Sequence, residues 1–224
     1  MPDSASAPPV TTGTPTLRSQ AKAVTSGAPT LRSQAKADRR AALLDAAATL
    51  FARSGFNGVA IEDLGAAVGV SGPAVYRHFS GKQAVLSALL VGVSEGLASG
   101  GQAVVEAAAD DQTALESLVR FHVDFALTHP DVIRVQDRDL DVLAEPGRHQ
   151  VRVVQRRYVE LWVAVLGRLN PTLPAELLRV RAQATFGLIN STPHSAPTVS
   201  LALVRPLLEE MALAALRPAH RPAH

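Results

Sequence analysis

Apolar residues recur at helical spacing along most of the chain. In "DRRAALLDAAATLFARSGF", which begins at residue 38, Leu43, Ala47, Leu50 and Phe51 fall at i, i+4, i+7 and i+8. They form one apolar stripe, with Arg39, Arg40, Asp45 and Arg53 largely off it. Asp38 suits an N-cap there and Gly55 a stop. "AIEDLGAAVG" predicts a second, short helix with Ile61, Leu64 and Val68 on one side and Gly69 at its end. Ser71 is placed to cap a third, "GPAVYRHF", in which Pro73 falls in the first turn, where its missing N–H has no partner to lose. A longer helix follows from about Gly81 through Leu97.

The pattern persists beyond residue 100. Residues 111–128 carry Leu115, Leu118, Val119, His122 and Phe125, and a shorter helix fits between Pro130 and Pro146. Residues 148–169 carry Val151, Val154, Tyr158, Leu161, Trp162, Val165 and Leu169. Pro174 opens a helix to about Asn190, and "TVSLALVRPLLEEMALAAL" makes the last, in which Pro206 is expected to introduce a kink or mark the true start. No stretch alternates with period two for long enough to predict a strand, so the fold class is all-α.

Residues 1–37 read differently. They are rich in Ala, Ser, Thr and Pro and contain "TLRSQAKA" twice, at 16–23 and 30–37. Their few large apolar residues do not offset chain entropy, which predicts a disordered arm. Arg18, Lys22, Arg32 and Lys36 make it basic, so a passive tail and a phosphate-touching arm both stay open. The predicted organisation is an arm (1–37), a three-helix unit (38–84), a larger helical domain (85–216) and the tail "RPAHRPAH" (217–224).

Composition narrows the chemistry. The absence of cysteine excludes disulfides, thiolate metal sites and cysteine nucleophiles. With 22 Lys+Arg against 20 Asp+Glu, the net charge of +2 says little, and the placement of charge decides more. No apolar run approaches the ~20 residues of a membrane span, and the N-terminus lacks the pattern of a secretory signal, so a cytoplasmic protein without a membrane partner is expected. His122, Asp124, His129, Asp131, Asp137, Asp139 and Asp141 are the residues from which an enzyme or metal site would have to be assembled. Their spacing matches no metal-ligand or catalytic pattern, and acids scattered along exposed helix faces are the ordinary expectation. No catalytic residue, metal or cofactor is therefore assigned.

The informative stretch is "GVSGPAVYRHFSGKQAVL", residues 69–86. Two short helices joined by "VGVSG" describe a helix-turn-helix, whose second helix fits the major groove of B-DNA. Gly69 permits the tight turn and Val70 plugs it into the core. Tyr76, Arg77 and His78 supply a hydroxyl, a guanidinium and an imidazole to phosphates or base edges. Lys82, at the start of the next helix, is placed to bind a phosphate together with the N-terminal amides.

On these residues the segment of about 38–90 resembles the DNA-binding domain of the tetracycline-repressor (TetR) family of bacterial transcriptional regulators. Phe51, Gly55, Asp63, Leu64, Gly69-Val70-Ser71, Tyr76, His78-Phe79 and Lys82 fall at the family's spacing. The resemblance implies a supporting helix at 60–68 and a recognition helix at 71–78. It makes Ser71, Gly72, Pro73, Ala74, Tyr76, Arg77, His78, Lys82, Arg39 and Arg40 the expected DNA-binding set, with Arg77 the leading candidate for reading a base. Val59 and Ala60 stand where the family often has Thr or Ser, which removes a cap and a phosphate contact; Asn57 substitutes only if the loop bends back.

The family resemblance further implies a homodimer through the last two helices, here about 174–190 and 199–216. It also implies an effector pocket among the middle helices. The expected lining is Leu118, Phe121, His122, Phe125, Val154, Tyr158, Leu161, Trp162, Phe186 and Asn190, suiting an apolar or amphipathic small molecule. "THPDVIRVQDRDLDVLAEPGRHQVRVVQRRY" and "FGLINSTPHSAP" are similar to regulators of fatty-acid, sterol or branched-chain acyl metabolism, which makes an acyl-CoA the first effector candidate. Arg148, Arg152, Arg156 and Arg157 are the residues available to a CoA phosphate, although an arginine-rich helix face is more often simply solvated. The function expected is a repressor released from a palindromic operator by its effector. A non-regulatory DNA-binding protein, and less favourably a helical enzyme, are the alternatives.

Overall fold

The computed structural model describes residues 30–195 and 199–217, and within them every regular element is helical. The first helix, α1 (Leu31–Ser54), starts a full two turns before the expected position. Its N-cap is Thr30, whose hydroxyl accepts from the Ser33 N–H at 3.2 Å; the assignment of Asp38 as cap is corrected. The reason is local. "LRSQAKA" has no Gly, Pro or β-branched residue, so it follows the helix despite having almost nothing to bury. The second copy of the repeat therefore continues α1, whereas the arm residues Arg18 and Lys22 lie outside the described residues, as do 218–224 of the tail.

Gly55 ends α1, its N–H returning to the Phe51 carbonyl at 2.8 Å. Helix α2 (Ile61–Ala67) begins at Ala60, which has no capping side chain; Asp63 serves instead, accepting from the Ala60 N–H at 2.7 Å. Gly69 turns the chain at φ +69°, in the left-handed region that favours glycine. Helix α3 (Gly72–Val75) is only one α-helical turn, extended through Phe79 by tighter turns. Ser71 does occupy its N-cap position, but its side chain makes no capping bond, and Pro73 lies in the first turn as expected. Leu43, Phe51, Leu64 and Val75 are fully buried and Phe79 nearly so, giving this small unit its own apolar centre.

Helix α4 (Lys82–Glu106) runs past Leu97 for nine more residues. It is long and apolar enough to cross a membrane by length and composition, yet half of that stretch is buried inside the protein, as a core helix. It packs on α7 (Glu145–Leu169), α5 (Asp111–Thr128) and α1. One glycine beyond Leu97, Gly101, is a packing residue. A Cβ on Gly101 would stand 2.5 Å from Tyr158 Cε2, so this crossing needs a residue without one.

The rest encloses that centre. Helix α6 (Pro130–Asp139) lies on α1 and leads through a 3₁₀ turn (Leu140–Val142) to α7, which starts at Glu145 and carries Pro146 in its first turn. Helix α8 (Ala175–Asn190) packs on α7 and on α10 (Leu201–Leu216), with the short α9 (Thr192–Ser195) between them in the chain. Pro206 sits within α10, which begins at Leu201, so it does not mark the start.

Candidate nucleic-acid interface and cavity

The turn and α3 bring most of the predicted DNA-facing residues to one surface. Ser71, Pro73, Tyr76 and Arg77 are exposed, with Tyr76 at 54 %, while Gly72, Ala74 and His78 are half-buried. Val75 points the other way, into the core. A large aromatic side chain held open to solvent beside an arginine, at the end of a one-turn helix, has no packing role to explain it.

Around α3 the cations divide by role. The N-terminal half of α1 lies alongside, and Arg39 Nη1 donates to the Val68 carbonyl at 3.2 Å, closing the end of α2. The Arg40 guanidinium stacks over the Phe79 ring, 4.3 Å from its centroid. Burial, with Lys36, Arg40, Arg39 and Arg77 nearby, holds the His78 imidazole below the ordinary histidine pKa. Its Nδ1 is buried without a partner. These four cations make a positive rim around His78, beside an exposed helix end.

Lys82 differs from its expected place. Its ammonium donates to the Val59 carbonyl at 2.7 Å and stacks over Phe56, 4.5 Å from the ring centroid. It therefore braces the loop before α2, and the carbonyl at Val59 takes one of its three donors.

A second site lies in the larger domain. A cavity of about 190 Å³ sits among α4, α5, α6, α7 and α8. Of the ten residues predicted to line it, His122, Phe125, Tyr158, Phe186 and Asn190 do so. Leu118, Phe121, Val154, Leu161 and Trp162 do not: Leu118 and Trp162 are completely enclosed behind the wall, and the other three pack against the core. The residues that sequence reasoning missed are Ser94 and Leu97 on α4, Val132, Ile133 and Gln136 on α6, and Gln155 and Val159 on α7. The i, i+4 pairs Val132–Gln136 and Gln155–Val159 were the available signal, each an apolar stripe interrupted by an amide.

One end of the cavity is aromatic and polar at once. His122 stacks on Tyr158 at 5.7 Å and lies 4.8 Å from the Phe186 ring, with Trp162 edge-on. His122 Nδ1 is 3.3 Å from the Tyr158 hydroxyl, while its Nε2 and the Asn190 Oδ1 are buried without partners. Burial pushes the His122 pKa down to about 4, against an opposing contribution from Asn190, and pushes the Tyr158 pKa up. Both are thus neutral at physiological pH.

Helix α6 links the cavity wall to the end of α1. Val132, Ile133 and Gln136 form part of the cavity wall, and two residues further on Arg138 reaches α1. Its guanidinium donates to the Phe51 and Ala52 carbonyls at the end of α1, and its fork is held by Asp139 at 3.1–3.2 Å. Asp139 is 4 % exposed, and its carboxylate holds the Arg138 pKa up. Among the described residues no group of three His, Asp or Glu comes together to hold a metal.

The elements thus define an all-helical protein with an N-terminal helix-turn-helix and a larger helical domain around a cavity. The sequence model described as "Bacterial regulatory proteins, tetR family" matches residues 43–89, the part containing α2, α3 and most of α1's buried face. The HTH-type transcriptional repressor KstR2 of Rhodococcus jostii is 30% identical over 129 residues, which cover 57% of this chain and 63% of that repressor. The match thus spans under two thirds of that relative. A TetR-family regulator from Bordetella parapertussis superposes with a TM-score of 0.72 at 24% identity, over 83% of this chain and 97% of that one. The structure of AibR in complex with isovaleryl coenzyme A and operator DNA does so with 0.65 at 16% identity, over 77% and 97%. Residues 43–89 thus match the model of the tetR family of bacterial regulatory proteins, and the whole chain shares the fold of TetR-family regulators.

Proposed function

We propose that the protein is a cytoplasmic, sequence-specific DNA-binding repressor, not an enzyme, that acts as a homodimer on a palindromic operator and is released by a small apolar or amphipathic effector. The observation that carries this reading is the exposed Tyr76-Arg77 end of α3, flanked by Arg39, Arg40 and Lys36 and tied through Arg138 to a helix of the cavity wall. Tyr76 and Arg77 are the direct contacts. Ser71, Gly72, Pro73 and Ala74 bring the backbone close to the groove. Arg39, Arg40, His78 and the two spare donors of Lys82 face phosphates.

One α3 reads few base pairs, and two related by a twofold axis read half-sites about 34–36 Å apart. The outer faces of α8 and α10 fit that requirement. Leu177 and Val180 on α8, and Leu203, Leu207 and Met211 on α10, are apolar and 44–68 % exposed, along the two helices that already pack together. A second copy of this chain covers them as a four-helix interface.

The effector enters the cavity and couples to DNA through α6, since a ligand that prefers the DNA-incompetent arrangement weakens DNA binding by the same factor. An acyl-CoA is the first candidate, in line with the ligand that AibR holds. Only its acyl group fits within 190 Å³, leaving the CoA outside. There Arg156 and Arg157 are exposed on α7, whereas Arg148 and Arg152 are engaged by Asp141 and Glu145. The test is Tyr76→Ala and Arg77→Ala, measured by operator titration at fixed salt. Each is expected to weaken binding at least tenfold with the unfolding transition unchanged. Unchanged affinity in both removes the DNA reading of this surface.

A further inference from the structure

We propose that the cavity selects an uncharged oxygen: its ligand presents a carbonyl, as ketone, ester or thioester, on a compact ring or branched chain, and the corresponding free carboxylate is rejected. This deepens the effector reading above and rests on it.

The first support is the wall. It contains no Lys, Arg, Asp or Glu, so an ionised group inside has no counter-charge. A carboxylate entering without one loses hydration that nothing restores. The wall's polar end also lies where α8 finishes at Asn190, and a helix C-terminus carries partial negative charge, which disfavours an anion further.

The second support is the set of unmet hydrogen bonds. His122 is 3 % exposed, yet neither its Nε2 nor the Asn190 Oδ1 has a hydrogen bond of ordinary geometry, the Asn190 side chain lying just close enough to His122 to oppose the fall in its pKa. Buried polar atoms left this way are uncommon and costly, so both point to a group that completes them. When the Tyr158 hydroxyl donates to His122 Nδ1, Nε2 carries the proton and becomes a donor. The Asn190 amide, turned half a revolution, offers its NH₂ beside it. Two neutral donors at one end suit a carbonyl oxygen. Leu97, Phe125, Val132, Ile133 and Val159 supply apolar surface for the carbon skeleton. An apolar cavity near 150 Å³ holds a benzene, so 190 Å³ suits a group of roughly eight heavy atoms.

Acetylcyclohexane and cyclohexanecarboxylate have the same shape and differ in charge, and make the test. Their dissociation constants are measured on the full chain at pH 7.5 by ligand-observed NMR titration, in the wild type and in Asn190→Leu and His122→Phe. The ketone is expected to bind at least tenfold more tightly than the carboxylate, and at least one variant to cut its affinity fivefold or more without improving the acid's. Carboxylate binding as tight as the ketone's overturns the proposal while leaving the cavity a ligand site. A ketone preference untouched in both variants overturns the assignment of the polar end. If neither probe binds, the effector reading of the cavity falls and takes this inference with it.

Discussion

Two glycines of α4 make opposite predictions. A methyl group added at Gly101 meets Tyr158 Cε2 at 2.5 Å, and Tyr158 Cδ2 and Leu161 Cδ2 at 3.2 Å, where carbon pairs prefer about 3.5–4.0 Å. The Tyr158 ring has little freedom to yield, being 5 % exposed and stacked on both His122 and Phe186. Either α4 and α7 separate or the ring moves toward the cavity, and overpacking of this kind costs about 1–3 kcal/mol. The helix gains about 0.5–1 kcal/mol from replacing a glycine. The net loss is centred a little above 1 kcal/mol and reaches about 2.5 kcal/mol, and in a chain of this size each kcal/mol lowers Tm by roughly 2–4 °C. At Gly92 nothing lies within 4 Å of the added carbon, so Gly92→Ala retains the gain alone. Urea unfolding followed by circular dichroism, at one protein concentration because assembly affects the midpoint, separates the two. Gly101→Ala should unfold earlier than wild type and Gly92→Ala later. If both variants stabilise equally, the close α4–α7 crossing, and with it the placement of Tyr158 on the cavity wall, is wrong.

Three further outcomes follow from the same geometry. Because His122 protonates near pH 4 when folded and near 6.5 when unfolded, the unfolded chain takes up the proton first as pH falls. Of the side chains against it only Tyr158 titrates, and that one stays neutral, so about 3 kcal/mol of stability is present above pH 6.5, is lost between pH 6.5 and 4, and changes no further below. The difference in unfolding free energy between wild type and His122→Phe should shrink over that window, and a constant difference refutes the assignment. Arg138→Met strands the Asp139 carboxylate and releases two α1 carbonyls; since the Arg138 side chain is 45 % exposed and screened, the cost is set at about 1–2 kcal/mol. The same variant should weaken the effector's influence on operator affinity, read by titrating DNA with and without ligand. Leu207→Glu, on the outer face of α10, should shift sedimentation from dimer toward monomer and reduce operator binding, while an unchanged dimer places the interface elsewhere.

The order and number of the long helices could be read from apolar spacing because each buries a stripe against a neighbour, as Leu43, Ala47 and Phe51 do on α1. Ends were less legible. The residues from Leu31 to Ala37 bury nothing, so periodicity had no signal there, and intrinsic propensity carries the helix back to Thr30. In α4 the opposite error arose. Gly96, Gly100 and Gly101 look like helix-breakers in sequence, whereas tertiary contact with α7 uses the missing side chain at Gly101 and outweighs the propensity cost.

The two sites differed in legibility for a related reason. Apart from Arg39 and Arg40, the residues expected to face DNA are close together in sequence, so one turn and its exposed end follow from local sequence, as Tyr76 and Arg77 show. What local sequence hid was competition for the cations: nothing near Lys82 announces that its ammonium reaches the Val59 carbonyl across 23 positions. The cavity was half legible because it is a gap between helices, not a property of any one. Periodicity identified Leu118 and Trp162 as inward-facing, and so they are, but an inward residue lines a gap only where the opposing helix fails to fill the space. Val132, Ile133 and Gln136 line it because α6 packs mainly on α1 rather than on α5, with Arg138 at its far end bonded to α1 carbonyls. Three residues of the wall and the residue that grips the end of α1 thus lie on one helix, less than two turns apart. On the proposed reading, a ligand that pushes on the first is expected to displace the second, which is what Arg138→Met tests.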